Sequence, residues 1–171
     1  LRKMILWLPA LLGYRVDTNM KPKLEYLEKR LSLKPNELRK MILAAPNLFG
    51  LSIEGNIEPK LAFLEKELGL NNDEVCEVIL KHSPLLSYNV VDTLVPKMNY
   101  LKKRLSISSD EVRSLLVRNP ALIGFDVNKN LEPTISFFEN LLTPKVAKPF
   151  LLRSNPLLKT SLAKRLEPRR D

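Results

Sequence analysis

The six residues LRKMIL occur twice, at 1–6 and 38–43, and each copy runs on to a proline, Pro9 and Pro46, 37 positions apart. The duplication belongs to a longer register. Pro9, Pro46, Pro84, Pro120 and Pro156 are spaced 37, 38, 36 and 36 residues apart, and Pro22, Pro59, Pro96, Pro133 and Pro168 are spaced 37, 37, 37 and 35. Ten of the 13 prolines therefore lie on two interleaved ladders. A fixed period of this size marks stacked supersecondary units, each unable to bury its apolar face alone.

One period can be read in parts. Each proline of the second ladder opens a run with helical spacing: PKLEYLEKRL at 22–31, PKLAFLEKEL at 59–68, PKMNYLKKRL at 96–105 and PTISFFENLL at 133–142. Leu24, Leu27 and Leu31 make one apolar stripe, and Pro22 stands in the first turn, where a missing N–H costs nothing. A second helix follows a short turn, as in NNDEVCEVIL at 71–80 and SSDEVRSLLV at 108–117, where Asn71 and Ser108 precede Glu74 and Glu111 by the three residues of a capping box. It stops before the first-ladder proline, whose ring disfavours helical conformation in the preceding residue. The apolar segment after it (PNLFGLSIE at 46–54) reads as a short helical turn leading back to the next unit, with a strand as the weaker option. Helices are expected near 23–31, 35–44, 60–68, 72–82, 97–105, 109–118 and 134–142, with essentially no sheet.

Charge and composition narrow the function. The chain has 171 residues, 44% of them hydrophobic, enough for one domain or a short repeat array, and a net charge of +9 that invites a polyanionic partner. A membrane role is not expected, because the best apolar stretch, MILWLPALLGY at 4–14, is too short to span and contains Pro9. Its flanks resemble a signal peptide, but the same LRKMIL recurs in mid-chain, where no such signal sits. One cysteine, Cys76, and one histidine, His82, allow neither a disulfide framework nor a Cys/His metal cluster. Six residues apart in one helix, they point to different sides and make a poor nucleophile and base. No Gly-rich phosphate loop or HExxH motif is present. The chain is read as neither an enzyme nor a protein that holds a cofactor, a metal or a small-molecule substrate.

The element order, and the ending [KRAS]-x-P-x-[LI] followed 12 or 13 residues later by P-[KT]-[LMI], resemble the repeat of the mTERF family, mitochondrial transcription termination factors and their chloroplast relatives. The best single copy is LGLNNDEVCEVILKHSPLLSYNVVDTLVPKMNYLKKRL at 68–105. The resemblance covers nearly the whole chain. It implies an all-α solenoid, right- or left-handed, of roughly 37-residue units, curled into a half-ring with a basic concave face. It further implies nucleic-acid binding in mitochondria or chloroplasts, with duplex DNA favoured in transcription termination or regulation, RNA possible, and a protein-binding scaffold as the other use of such a surface. The array is expected to comprise a partial repeat over 1–21, repeats over about 22–58, 59–95, 96–132 and 133–167, and a basic end over 145–171. Opening inside a second helix, without Met or transit peptide, the chain reads as part of a longer protein. Pro149 is expected to shorten or kink the last second helix.

Candidate contacts to nucleic acid fall in three groups. Along the first helices, Lys23 and Arg30, and then Lys97 and Arg104, share one flank with Tyr26 and Tyr100. The equivalent flanks read Lys60/Phe63/Glu67 and Thr134/Phe137/Leu141, and the four rings are expected to fill core rather than to stack on bases. The second helices offer Arg39, Lys40, Arg113 and Arg118, with Cys76 and Glu77 at the matching places of an acidic second repeat. The end of the chain offers Arg153, Lys159, Lys164 and Arg165; from Lys145 onward the net charge is +6. Phosphate contacts of this kind add affinity without sequence preference.

Overall fold

The computed structural model describes residues 5–6 and 8–153. Among these residues there is no strand, and eight α-helices follow one another: α1 (Lys21–Leu31), α2 (Pro35–Ala44), α3 (Glu58–Lys66), α4 (Asn72–Lys81), α5 (Val95–Leu105), α6 (Ser109–Arg118), α7 (Glu132–Leu142) and α8 (Pro144–Arg153). The link between one pair and the next contains two short turns where the sequence suggested one. A 3₁₀ turn (Pro9–Gly13, Pro46–Gly50, Ser83–Ser87, Pro120–Gly124) is followed by a π-turn (Val16–Met20, Ile53–Ile57, Val90–Leu94, Val127–Leu131).

The 3₁₀ turns, the π-turns and the odd-numbered helices each start 37 residues after the one before. The proline steps of 38 and 36 are thus a slip of the residue, not of the backbone: Ser83 opens its turn where the others have proline, and Pro84 takes the second place. The π-turns close with i to i+5 bonds such as Ile57 N–H to Ser52 O (3.1 Å) and Leu131 N–H to Asp126 O (3.1 Å). Each lies just ahead of Pro22, Pro59, Pro96 or Pro133. Such a proline cannot donate to the carbonyl four residues back, and its ring crowds that carbonyl. The wider turn joins the helix without requiring that bond.

The chain divides into two compact units, Leu1–Val90 and Val91–Asp171. In the first, the core is built from α1 (Leu27, Leu31), α2 (Met41, Ile42), α3 (Leu61, Leu64), α4 (Val75, Val78, Ile79) and the 3₁₀ pairs Leu48/Phe49 and Leu85/Leu86. In the second it is built likewise from Leu101 and Leu105, Val112, Leu115 and Leu116, Leu122 and Ile123, and Ile135 and Phe138, with Ala147 and Leu151 from α8. The last residue of three of the four π-turns, Ile57, Leu94 or Leu131, is fully buried, and Met20 of the first is half-buried. Each wholly buried Leu or Ile side chain contributes roughly 1.5–3 kcal/mol relative to exposure.

Helix ends obey local chemistry. Asn71 Oδ1 accepts the Glu74 N–H (2.9 Å) while Glu74 accepts the Asn71 N–H (3.0 Å), and Ser108 and Glu111 do the same at 3.2 and 2.8 Å. At α2, Lys34 has no acceptor to offer, so only the return half forms, Lys34 N–H to Glu37 at 2.8 Å. The first helix of each pair is followed within three residues by one at positive φ: Ser32 (51°), Gly69 (61°), Ser106 (49°) and Thr143 (66°). Only one of the four is glycine, the residue that adopts this region without steric cost. Pro149 lies inside α8, which runs on to Arg153 instead of stopping short.

Candidate nucleic-acid interface

The flank of the first helices that carries Lys23, Arg30, Lys97 and Arg104 is engaged inside the fold. In the first unit, Arg30 Nε meets Glu58 at 3.2 Å and Nη2 meets both oxygens of Glu65 at 2.9 and 2.8 Å. The Tyr26 hydroxyl donates to the same Glu58, and Lys23 Nζ donates to the Phe49 carbonyl. The second unit repeats the set 74 residues on. Arg104 Nε meets Glu132 at 2.8 Å, its two Nη atoms take the two oxygens of Glu139 at 2.9 and 2.8 Å, Tyr100 donates to Glu132, and Lys97 donates to the Ile123 carbonyl. Of the four residues that the sequence offered here as contacts to nucleic acid, Arg30 and Arg104 therefore tie one first helix to the next, and Lys23 and Lys97 hold the 3₁₀ turn that follows their own helix pair. A helical wheel cannot distinguish a flank that faces solvent from one that faces the neighbouring repeat.

The electrostatics follow from these contacts. The hydrogen bonds from Arg104 and then Tyr100, against a smaller opposing effect of burial, bring the Glu132 carboxyl down to about 2. At Glu58 burial pushes upward, but the bonds from Tyr26 and Arg30 outweigh it and the net shift is downward. Burial, then the carboxylate partner, raises both tyrosine hydroxyls. Burial lowers Lys23, Lys60 and Lys97, the last against a pull from Asp126. Lys60 is the most enclosed of these, 6% exposed. The rings of Tyr26, Phe63, Tyr100 and Phe137 are half-buried, neither core nor open platforms, and the two tyrosines use their hydroxyls as ties.

Of the candidate contacts within the described helices, the accessible ones lie on the second helices. Arg39 and Lys40 on α2 are exposed and, among the described residues, make no hydrogen bond or ion pair. Arg118 on α6 is exposed, and its Nε donates to Ser114 O of its own helix (3.1 Å). Arg113 is half-buried on the same helix. Arg153 closes α8, and Lys159, Lys164 and Arg165 lie outside the described residues.

Two open grooves flank α2. One, of about 390 Å³, is apolar and lined by Leu24, Leu38, Ile42, Leu43 and Phe49, with Arg39 at its edge. The other, of about 440 Å³, brings Lys40 and Lys81 against Glu37, Asp73 and Glu77, with Cys76 among them. Asp73 and Glu77 of α4 thus lie with Glu37 around the groove that Lys40 lines. Burial, then Glu37 and Asp73, raise the Cys76 thiol, which disfavours the thiolate. His82 Nε2 lies 3.1 Å from the Tyr88 hydroxyl. Among the described residues no group of three or more His, Cys, Asp and Glu could hold a metal ion, and no helix is long and apolar enough to cross a membrane.

Helix pairs in fixed register, with consecutive first helices tied through their inner flanks, define an all-α helical-repeat protein. The model of the mTERF family matches residues 1–171, the whole chain, and the chain belongs to that family. No curated protein matches the sequence.

Proposed function

We propose that this protein is an α-solenoid of mTERF-type repeats, curled into a half-ring, that binds duplex DNA in mitochondrial or chloroplast transcription termination or regulation. The observation that carries this reading is the division of the basic residues. Lys23, Arg30, Lys97 and Arg104 serve the framework, whereas Arg39, Lys40 and Arg118 remain outward in a chain of net charge +9. Such residues meet phosphates, which position a duplex without reading its sequence. With them we group Arg113, Arg153, Lys159, Lys164 and Arg165. The role needs no catalytic group, cofactor, metal, membrane or small-molecule substrate.

A protein partner is the second reading, favoured by one observation: the apolar groove beside α2, where Leu43 is 46% exposed. A competition assay with duplex DNA, single-stranded DNA and duplex RNA across a salt series tests the proposal. Duplex DNA is expected to compete best, with affinity falling steeply as salt rises. Better competition by duplex RNA reassigns the protein to ribosomal or intron RNA. Absence of binding to all three at low salt overturns nucleic-acid binding and favours the scaffold.

A further inference from the structure

We propose that the turn between α5 and α6, together with the first turn of α8, forms a separate lysine patch that docks on the phosphate backbone of duplex DNA. The inference rests on the nucleic-acid reading above, and its residues are distinct from those considered so far. Lys102 and Lys103 stand in the last turn of α5, both exposed. Lys145 and Lys148 stand three residues apart on α8, hence on one face of that helix.

Two bonds bring these helices to the same place. Lys148 Nζ donates to the Ser106 carbonyl at 2.6 Å, and Lys102 Nζ donates to Ser109 Oγ at 2.9 Å, so both ammonium groups sit over the segment 106–109. Each uses one of its three donors there and is held in position, which reduces the side-chain freedom lost on meeting a phosphate. The side chains of Lys103 and Lys145 have no hydrogen-bond or ion-pair partner among the described residues. The first turn of α6 also carries two exposed carboxylates, Asp110 and Glu111, the latter accepting the Ser108 N–H at 2.8 Å.

The charge at this place runs against the rule that the other repeats follow. The first turn of α2 carries Glu37, that of α4 Asp73 and Glu74, and that of α6 Asp110 and Glu111, all complementing the positive end of the helix. The first turn of α8 has no acidic residue and carries Lys145 instead. Lysine there is locally unfavourable to the helix. Departures from local preference of this kind concentrate at functional sites. The ends of α1 and α3 also differ from that of α5: Glu28 and Glu65 stand where α5 has Lys102.

The test is the salt dependence of binding to a short fluorescein-labelled duplex, followed by anisotropy, for the parent chain and for Lys103→Gln/Lys145→Gln. The side chains of these two lysines make no bonds in the described fold, so circular dichroism should be unchanged. Each phosphate contact contributes about 0.9 to the log–log slope, so the double variant should lower the slope by about 1.8, equally for two duplexes of unrelated sequence. Lys103→Arg/Lys145→Arg should restore it. A parent that binds with a steep slope, matched by the Gln variant, overturns the patch and leaves the nucleic-acid reading standing. A parent that does not bind at low salt overturns both. Should the Gln variant unfold, Lys103→Gln alone is measured, where a slope loss of about 0.9 supports the patch and an unchanged slope overturns it.

Discussion

Arg104 and Glu139 face each other as a fork, Nη1 to Oε1 at 2.9 Å and Nη2 to Oε2 at 2.8 Å, with both side chains about one quarter exposed. Arg30 and Glu65 pair at the equivalent positions 74 residues earlier, there through one nitrogen, Nη2, which meets both Glu65 oxygens at 2.9 and 2.8 Å. The spacing is set by the repeat: the arginine in the last turn of one first helix reaches the next first helix, which also supplies Glu58 or Glu132. A bidentate arginine fixes both distance and orientation between two helices, which a lysine cannot do.

Replacing Arg30 or Arg104 with Gln should therefore destabilise the fold by about 1–2 kcal/mol, between the value of an exposed pair and that of a well-made charged hydrogen bond. Chemical denaturation of each variant checks this. A change below about 0.3 kcal/mol would mean that the forks add nothing to the fold.

The second prediction follows from Glu132, whose carboxyl is brought from 4.5 to about 2 by Arg104 and Tyr100. A carboxyl depressed in the folded state stabilises above its unfolded value and loses that contribution as pH falls through its folded value. Stability should therefore decline between about pH 4.5 and 2, and Glu132→Gln should flatten part of that decline. Glu132 is 38% exposed, so solvent screens the interaction and the effect should be modest. Melting curves of parent and variant across this range test it.

The positive-φ positions make the third prediction. Ser32 and Ser106 hold φ of 51° and 49°, where Gly69 serves the same turn in the second repeat. Left-handed conformation costs a non-glycine residue roughly 1–2 kcal/mol, partly offset by the greater chain entropy glycine loses on folding. Ser32→Gly and Ser106→Gly should each stabilise by about 0.5 kcal/mol, and Gly69→Ala should destabilise by about 1 kcal/mol or more. Matching signs in urea titrations support the account; destabilisation by both glycines contradicts it.

Capping supplies the fourth. Ser108→Ala and Asn71→Ala each remove the acceptor of an N–H at the start of a second helix and should cost about 1 kcal/mol. Lys34→Ala should cost little, because Lys34 engages Glu37 through its backbone. Equal losses at all three positions would contradict the capping assignment.

The helices were legible because proline and leucine stripes report directly on backbone and burial, and α2 and α6 fall on the residues expected of them, 35–44 and 109–118. The π-turns were not, since VDTNM, IEGNI, VVDTL and VNKNL share no residue type that demands an i to i+5 bond. The slip at Ser83 hid because a ladder of prolines counts residues rather than turns. The inner ties left a trace that could have been read: glutamates 28 and 35 residues after both Arg30 and Arg104, where the second repeat has Glu67 in place of arginine. A single helix considered alone gives no reason to look that far along the chain. The patch at Lys102, Lys103 and Lys145 was missed because two of its helices belong to different repeats and meet only in three dimensions.

The central claim is that outward cations of the second helices bind nucleic acid while the arginines of the first helices hold the framework. The most direct measurement is the log–log salt slope for duplex DNA of the parent, of Arg39→Gln/Lys40→Gln/Arg118→Gln and of Arg30→Gln/Arg104→Gln, each at a temperature where it remains folded. The first variant should lower the slope by about 2.7, from three lost contacts at about 0.9 each, and the second should leave it unchanged. A slope that survives the first variant and collapses in the second would contradict the account.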